Sequence, residues 1–401
     1  MKIGFLSQAL PYLPSRGGFR LYGANLLRQF SKRHQIDLVT LLDPEDEPHL
    51  DWPKPYCARI ETISDAAMPG IVRVAHAGVV RILGTPLRHR VTVGKLLRQL
   101  AATSSWDVLH VEGAYAGGLV PTDMSIPKVL SVHDSWTLRC AEMLKCSQTH
   151  RERLYYRFLR ATEPRFERKI YPRFDVVTVV AEPDREELSK VVPQATVQLI
   201  SYGTDTEYFR PVEVPKVPNT LVFHSHLGYP PNIEAAMEFA NEIFPLVQRE
   251  VPDAVFHLVG ANPAPKIMEL TNRPGIRVSA NVPDLRPAVC SAAVYVCAIR
   301  YGTGLKSKML EAMAMHMPIV GYPGSIVGLE GVPDVHYLLA QNPQEFAAHV
   351  VHLLRSPQRS NELADAARKL TEEKYSWASR AQAYEHLYQQ LIESRQRRSG
   401  E

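Results

Sequence analysis

Ile299-Arg300-Tyr301-Gly302-Thr303-Gly304-Leu305-Lys306-Ser307-Lys308-Met309-Leu310-Glu311-Ala312-Met313-Ala314 joins the end of a strand to the start of a helix through two glycines. The apolar run Val294 to Ile299 reads as a short buried strand, and the spacing from Lys308 to Met315 as a helix. Amides at a helix N-terminus lack intrahelical acceptors and carry the positive end of the helix dipole, so with Lys306 and Lys308 beside them they form an anion site. Glu311, one turn further on, is placed to accept hydrogen bonds from sugar hydroxyls. A phosphate, a sugar ring and a helix start together point to a nucleotide-sugar site.

The strand-to-helix unit recurs in both directions from this stretch, the pattern of parallel sheets covered by helices on both faces. Upstream the strands read as Lys2 to Ser7, Ile36 to Leu42, Val108 to Val111, Lys128 to Val132, Val176 to Val180 and Val197 to Ser201, with helices near Leu21 to Arg33, Lys95 to Ala102 and Arg151 to Ile170. The second half has strands Leu221 to Ser225, Val255 to Val259, Arg277 to Ser279, Val294 to Ile299 and Ile319 to Gly321. Its helices fall near Ile233 to Arg249, Lys308 to Met315, Pro343 to Leu354 and Ser360 to Glu373. Arg210-Pro211-Val212-Glu213-Val214-Pro215-Lys216-Val217-Pro218 cannot continue a helix and reads as a hinge. The expected organisation is therefore an α/β chain with a Rossmann-like domain over 1–202, a hinge over 203–219, a second such domain over 220–375, and a C-terminal helix over 376–401 that returns to the first domain. Ligands of such domains bind beyond the carboxyl ends of the strands.

At 401 residues the chain is long enough for two cores. Lys+Arg 46 against Asp+Glu 42 leaves a net charge of only +4, which argues against general nucleic-acid binding. Five cysteines without C-x-x-C spacing indicate neither a disulfide framework nor a zinc knuckle and fit a reducing cytoplasm. Met1 to Gln8 is strand-like and soon meets Pro11 and Pro14, unlike the apolar core of a signal peptide. No window of 18 apolar residues occurs, so no spanning helix is expected. From Ala66 to Trp106 there is no acid, while Arg73, Arg81, Arg88, Arg90, Lys95 and Arg98 alternate with apolar residues. That stretch suits peripheral contact at the inner membrane face or a phosphate-bearing acceptor, and equally a helix pair with a solvated basic face. No Asp-x-Asp and no His/Cys cluster with metal spacing occurs, so neither a metal nor another cofactor is expected.

The opening stretch, followed by Pro318-Ile319-Val320, resembles the retaining nucleotide-sugar glycosyltransferases of family 4. So do Tyr229-Pro230-Pro231-Asn232-Ile233-Glu234-Ala235, Asn281-Val282-Pro283-Asp284-Leu285-Arg286-Pro287, Ser201 to Pro211 and Ser131-Val132-His133-Asp134, in family order. The resemblance implies the GT-B fold of two facing Rossmann-like domains, and a hexose-type sugar moved with retention from a nucleoside diphosphate, UDP on family grounds, to an acceptor hydroxyl on a glycan, a lipid-linked carrier or a small molecule. Two positions depart from the pattern. Thr303 stands where many members carry a sugar-contacting glutamate, although Gly302 to Glu311 matches the glycine-rich G-x-G-x-K/R-x-K-x-L-E version of another branch. His316 stands where glycine is usual.

The candidate residues follow from residue type and resemblance together. Gly302, Thr303, Gly304, Lys306 and Lys308 would hold the diphosphate, and Glu311 the ribose hydroxyls. Gly17 and Gly18, in the first strand-to-helix loop, would let the backbone approach a phosphate or sugar on the opposite wall of a cleft. His133 at a strand end is expected at the donor sugar, with Asp134 beside it and Glu112 at the acceptor. Against these stand plain alternatives: solvated lysines, a helix-start glutamate, a flexible turn and a satisfied core histidine. An epimerase or hydrolase on the same fold, or a sugar-nucleotide sensor without activity, would share the same pattern.

Overall fold

The computed structural model describes residues 1–15, 18–64, 80, 89–147, 149–301 and 305–400. The chain divides into two compact units, one of Met1–Ser201 with Arg380–Glu401 and one of Tyr202–Ser379.

The first unit is built on seven parallel strands in the order β3-β2-β1-β4-β5-β6-β7. They are β1 (Lys2–Ser7), β2 (Gln35–Leu42), β3 (Arg59–Ser64), β4 (Val108–Glu112), β5 (Lys128–His133), β6 (Val176–Val179) and β7 (Val197–Leu199). The chain runs outward from β1 to β3, returns to β4 beside β1, and proceeds outward to β7. The strand order thus reverses between β1 and β4, which opens a crevice beyond their carboxyl ends. All residues of β4 and β5 are buried, as expected of parallel strands covered on both faces. Gly4 of β1 is required by packing, because a Cβ there would lie 2.5 Å from the ring of Trp106, whose indole Nε1 donates to Asp37 at 2.9 Å. At the reversal itself Gly113 has φ +100, and a Cβ on it would lie 2.0 Å from Gln8.

The helix Trp377–Gly400 begins with Ser376, whose hydroxyl accepts from the Ser379 amide at 3.1 Å. From Arg380 onward it belongs to the first unit. Tyr384 meets Tyr22 at 3.1 Å and Thr178 at 2.8 Å, Glu385 pairs with Arg33 at 2.7 Å, and Arg395 with Asp175 at 3.0 Å.

The second unit carries six parallel strands in the order β10-β9-β8-β11-β12-β13. These are β8 (Thr220–His226), β9 (Val255–Ala261), β10 (Ile276–Ala280), β11 (Val294–Cys297), β12 (Ile319–Gly321) and β13 (Leu338–Leu339). Here the order reverses between β8 and β11. The proline-rich segment lies against this unit: Val212 and Val214 pack on its core, and the Val217 amide donates to the Ser291 carbonyl at 2.8 Å.

Several elements differ from the sequence expectation. The helix expected from Ile233 begins at Pro230, a residue suited to the first helical position because its missing N–H would have no partner there. Helices Trp136–Cys146 and Glu182–Val191 and strands β3 and β13 were not expected. Of the acid-free stretch, the described part forms helix Arg90–Ser104, which buries Val93, Leu97 and Leu100 and pairs Arg98 with Asp123 at 2.9 Å. Apart from Val80, residues 66–88 lie outside the described residues, and with them most of the stretch expected to contact a membrane or a phosphate-bearing acceptor. Among the described residues no helix is long and apolar enough to cross a membrane.

Candidate active site

Each unit places polar side chains at its strand reversal. In the second unit a cavity of about 410 Å³ opens at the carboxyl ends of β8 and β9 and against the first turns of helix Ser307–Ala314. His224, Ser225, Asn232, Asn281, Lys308 and Glu311 are among its lining residues. Strand β8 is apolar through Leu221-Val222-Phe223 and then becomes His224-Ser225-His226 as it leaves the core. The buried His224 donates from Nε2 to Glu311 Oε2 at 2.8 Å, which joins the end of β8 to the helix following β11. Tyr295 packs edge-on against the imidazole, with 5.3 Å between ring centroids, and its hydroxyl donates to the His224 carbonyl. Glu311 is thereby fixed with one oxygen engaged and the rest of its acceptor capacity left for a ligand.

Three buried polar atoms at this cavity have no protein partner among the described residues: His224 Nδ1, Ser225 Oγ and Asn232 Oδ1. Buried polar atoms are ordinarily satisfied, so a cluster of three beside a cavity marks a place where a polar ligand completes the bonding. Asn232 is held by its amide, which donates to the His226 carbonyl at 2.9 Å. Asn281, at φ +52, accepts from the Asn262 amide at 2.9 Å and shapes the far rim. Lys306 is the cap residue of the helix and Lys308 is half-buried on its first turn. Gly302, Thr303 and Gly304 lie outside the described residues, as does Gly17. Gly18 opens helix Gly18–Phe30, and no atom stands within 4 Å of where its Cβ would be.

In the first unit His133 ends β5 with φ +63, where the register against β6 shifts by one residue. Phe19 stacks on its ring at a centroid distance of 4.3 Å and Tyr22 leans on it at 4.4 Å. Its Nε2 donates to Glu112 Oε1. Glu112 Oε2 accepts from His110 Nε2 at 3.1 Å, and His110 Nδ1 in turn accepts from the Tyr388 hydroxyl at 2.6 Å. Burial pushes the Glu112 carboxyl up, but the charge of His133 and the hydrogen bonds from His110 and His133 outweigh it and hold the group below its ordinary value.

Glu112, expected at the acceptor, is instead wholly enclosed. Its register partner in β5 is Ser131, which sets it beside His133, and its part is to hold that ring. With Nε2 engaged, Nδ1 is the ring atom of His133 left for a ligand. Asp134 pairs with Arg139 at 2.8 Å. His316, at φ +61, occupies a left-handed position that ordinarily favours glycine, and bonds Asp365 at 2.6 Å. Among the described residues no three His, Cys, Asp or Glu side chains converge as a metal site.

The sequence reading missed His110, Tyr22, His224, Ser225 and His226. The signal available for the last three was a polar triplet ending an otherwise apolar strand.

Two family models match the chain: "Glycosyltransferase Family 4" over residues 16–208 and "Glycosyl transferases group 1" over residues 218–356. A curated relative from Klebsiella pneumoniae, described as an uncharacterized 44.6 kDa protein in the cps region, is 20% identical over 388 residues, spanning 93% of this chain and 96% of that protein. Among solved structures, sucrose-phosphate synthase from Thermosynechococcus elongatus is similar with a TM-score of 0.62 and 17% identity, over 98% of this chain and 99% of that one. HepE of Anabaena, solved in complex with UDP, is similar with a TM-score of 0.63 and 13% identity, over 97% and 100%. A variant of TarM from S. aureus has a TM-score of 0.63 and 12% identity, over 96% and 99%. The two reversed parallel sheets, the GT-B fold shared with these structures and the paired family matches together establish that the chain belongs to the group 1, family 4 glycosyltransferases and is a transferase enzyme.

Proposed function

We propose that this glycosyltransferase moves a hexose-type sugar from UDP to an acceptor hydroxyl with retention of configuration. The observation that carries the reading is the cavity at the β8/β11 reversal, where a cationic helix start, a carboxylate fixed by His224 and three unsatisfied buried atoms meet. UDP as the nucleotide is supported by similarity to HepE, solved with UDP, with UDP and glucose, and with UDP-glucose. A hydroxyl acceptor is supported by the TarM variant, solved with UDP and alpha-GlcNAc-glycerol.

In this reading the diphosphate lies on the first turn of helix Ser307–Ala314, and Glu311 accepts from the ribose hydroxyls. As the glycosidic bond breaks, negative charge grows on the departing phosphate. Lys306, Lys308 and the helix dipole oppose that charge. An ammonium about 4 Å from a phosphate oxygen contributes roughly 4 kcal/mol at an effective dielectric of 20. The sugar passes through an oxocarbenium-like state, and same-face attack by the acceptor, assisted by the leaving phosphate, gives retention. His133, oriented by Glu112, hydrogen-bonds hydroxyls of the sugar or acceptor through Nδ1. These groups supply the electrostatic stabilisation without a metal.

The test is a screen of nucleotide sugars against hydroxyl acceptors, with products identified by mass spectrometry and anomeric configuration by NMR. A UDP-hexose should give an acceptor-dependent product of unchanged anomeric configuration. Rapid epimerisation or UDP release without any acceptor would show a different reaction.

A further inference from the structure

Helix His150–Ile170 divides its residues unusually. It buries Leu159, Thr162, Glu163, Phe166, Glu167 and Ile170, so two of its three acids lie on the face turned to the protein. The third, Glu152, closes a capping box with Thr149 at the helix start. At 100° per residue, Arg151, Leu154, Arg157, Phe158, Arg165 and Arg168 share the opposite, exposed face, and no acid falls among them.

That face also carries apolar surface. Leu154 is 71% exposed and Phe158 39%. Among the described residues none of Arg151, Arg157, Arg160 and Arg165 has a carboxylate within 4.0 Å. A solvated helix usually interleaves acids with its bases. Here cations without counter-charges surround large exposed side chains along a helix about 30 Å long.

We propose that this face of helix His150–Ile170 is an interfacial membrane-binding surface selective for anionic phospholipid. Leu154 and Phe158 enter the boundary between headgroups and acyl chains, while the arginines lay their methylene stems along it and place their guanidiniums on the phosphates. The most exposed of these side chains, Leu154, is aliphatic and suits an acyl boundary rather than a nucleic-acid site, where aromatic side chains stack on the bases beside the cations. The surface is distinct in sequence from the acid-free segment 66–106, and it rests on no assumption about the donor or the reaction.

The test is flotation of the full-length protein with vesicles of phosphatidylcholine, with and without phosphatidylglycerol. Binding should require phosphatidylglycerol and weaken steeply with salt. Arg157→Glu with Arg165→Glu should bind at least about tenfold more weakly. Leu154→Ser with Phe158→Ser should lose binding as well, although its cationic charge is intact. Circular dichroism and thermal unfolding should match the unaltered protein for both variants, which shows that they fold. Absence of binding to phosphatidylglycerol vesicles, or binding unchanged in the folded variants, would overturn the proposal. So would preference for single-stranded DNA over the vesicles, or a dimer that the same substitutions dissociate.

Discussion

Replacing Glu311 by glutamine should damage nucleotide binding nearly as much as replacing it by alanine, although glutamine is almost the same shape. A carboxylate offers about four lone-pair sites, and His224 Nε2 occupies one of them at 2.8 Å. The remainder suffice for two ribose hydroxyls, each hydrogen bond to a charged acceptor contributing about 1.5–3 kcal/mol. An amide in the same place has one oxygen, and the His224 N–H claims it. Its NH2 then faces the ribose and offers donors where acceptors are needed. Allowing for relief of repulsion between the carboxylate and the diphosphate, the loss is about 2–4 kcal/mol, or roughly 30- to 1,000-fold in Kd. Calorimetric titration with UDP measures it directly. Adding His224→Ala to Glu311→Gln frees the amide to turn its oxygen to the ribose, so the double variant should bind more tightly than the single one, a coupling that independent sites would not show. Glu311→Gln binding UDP within about threefold of the unaltered protein, or a double variant weaker than the single, would refute the reasoning.

Other outcomes follow from the first unit. Glu112→Ala removes a buried carboxylate that accepts from two histidines, and should destabilise that unit by about 3–5 kcal/mol, measured by urea unfolding. Because the Glu112 carboxyl is held below its ordinary value, its stabilisation is present above the unfolded value near 4.5 and is lost as pH falls through the folded value, so unfolding midpoints should drop in that acid range. Glu167 behaves oppositely. Burial raises it to about 7 against the hydrogen bonds from Thr137, so the stability linked to it is present below about 4.5 and lost as pH rises through about 7, and Glu167→Gln should flatten that part of a stability-against-pH profile. Gly4→Ala should cost about 1–3 kcal/mol in thermal unfolding, since its methyl would meet the Trp106 ring.

The central strands were legible because each is an apolar run bounded by turns, and parallel strands buried on both faces need that composition. Strand β3 was not: Arg59-Ile60-Glu61-Thr62-Ile63-Ser64 lies at the sheet edge, partly exposed, where charged residues are tolerated and the apolar signal disappears. Helix Trp136–Cys146 was hidden by Arg139 and Glu142 amid its apolar residues, although Ser135, which caps it by accepting from the Leu138 amide, was a local clue. The diphosphate and ribose candidates were legible because loop, lysines and glutamate are adjacent in sequence. The partner of Glu311 was not, since His224 lies 87 positions away and meets it only because β8 and β11 are neighbours across the strand reversal. Glu112 was visible as a strand-end acid, but its service to His133 depends on the β4–β5 register, which no local pattern encodes.

A crystal structure of the protein with UDP bound tests the central claim most directly. The account predicts the diphosphate on the first turn of helix Ser307–Ala314 within reach of Lys308, the ribose hydroxyls on Glu311, and a ligand atom or ordered water completing the bonding of Ser225 Oγ or Asn232 Oδ1. UDP bound away from the cavity at the β8/β11 reversal, or bound there with Glu311 turned from the ribose, would contradict it.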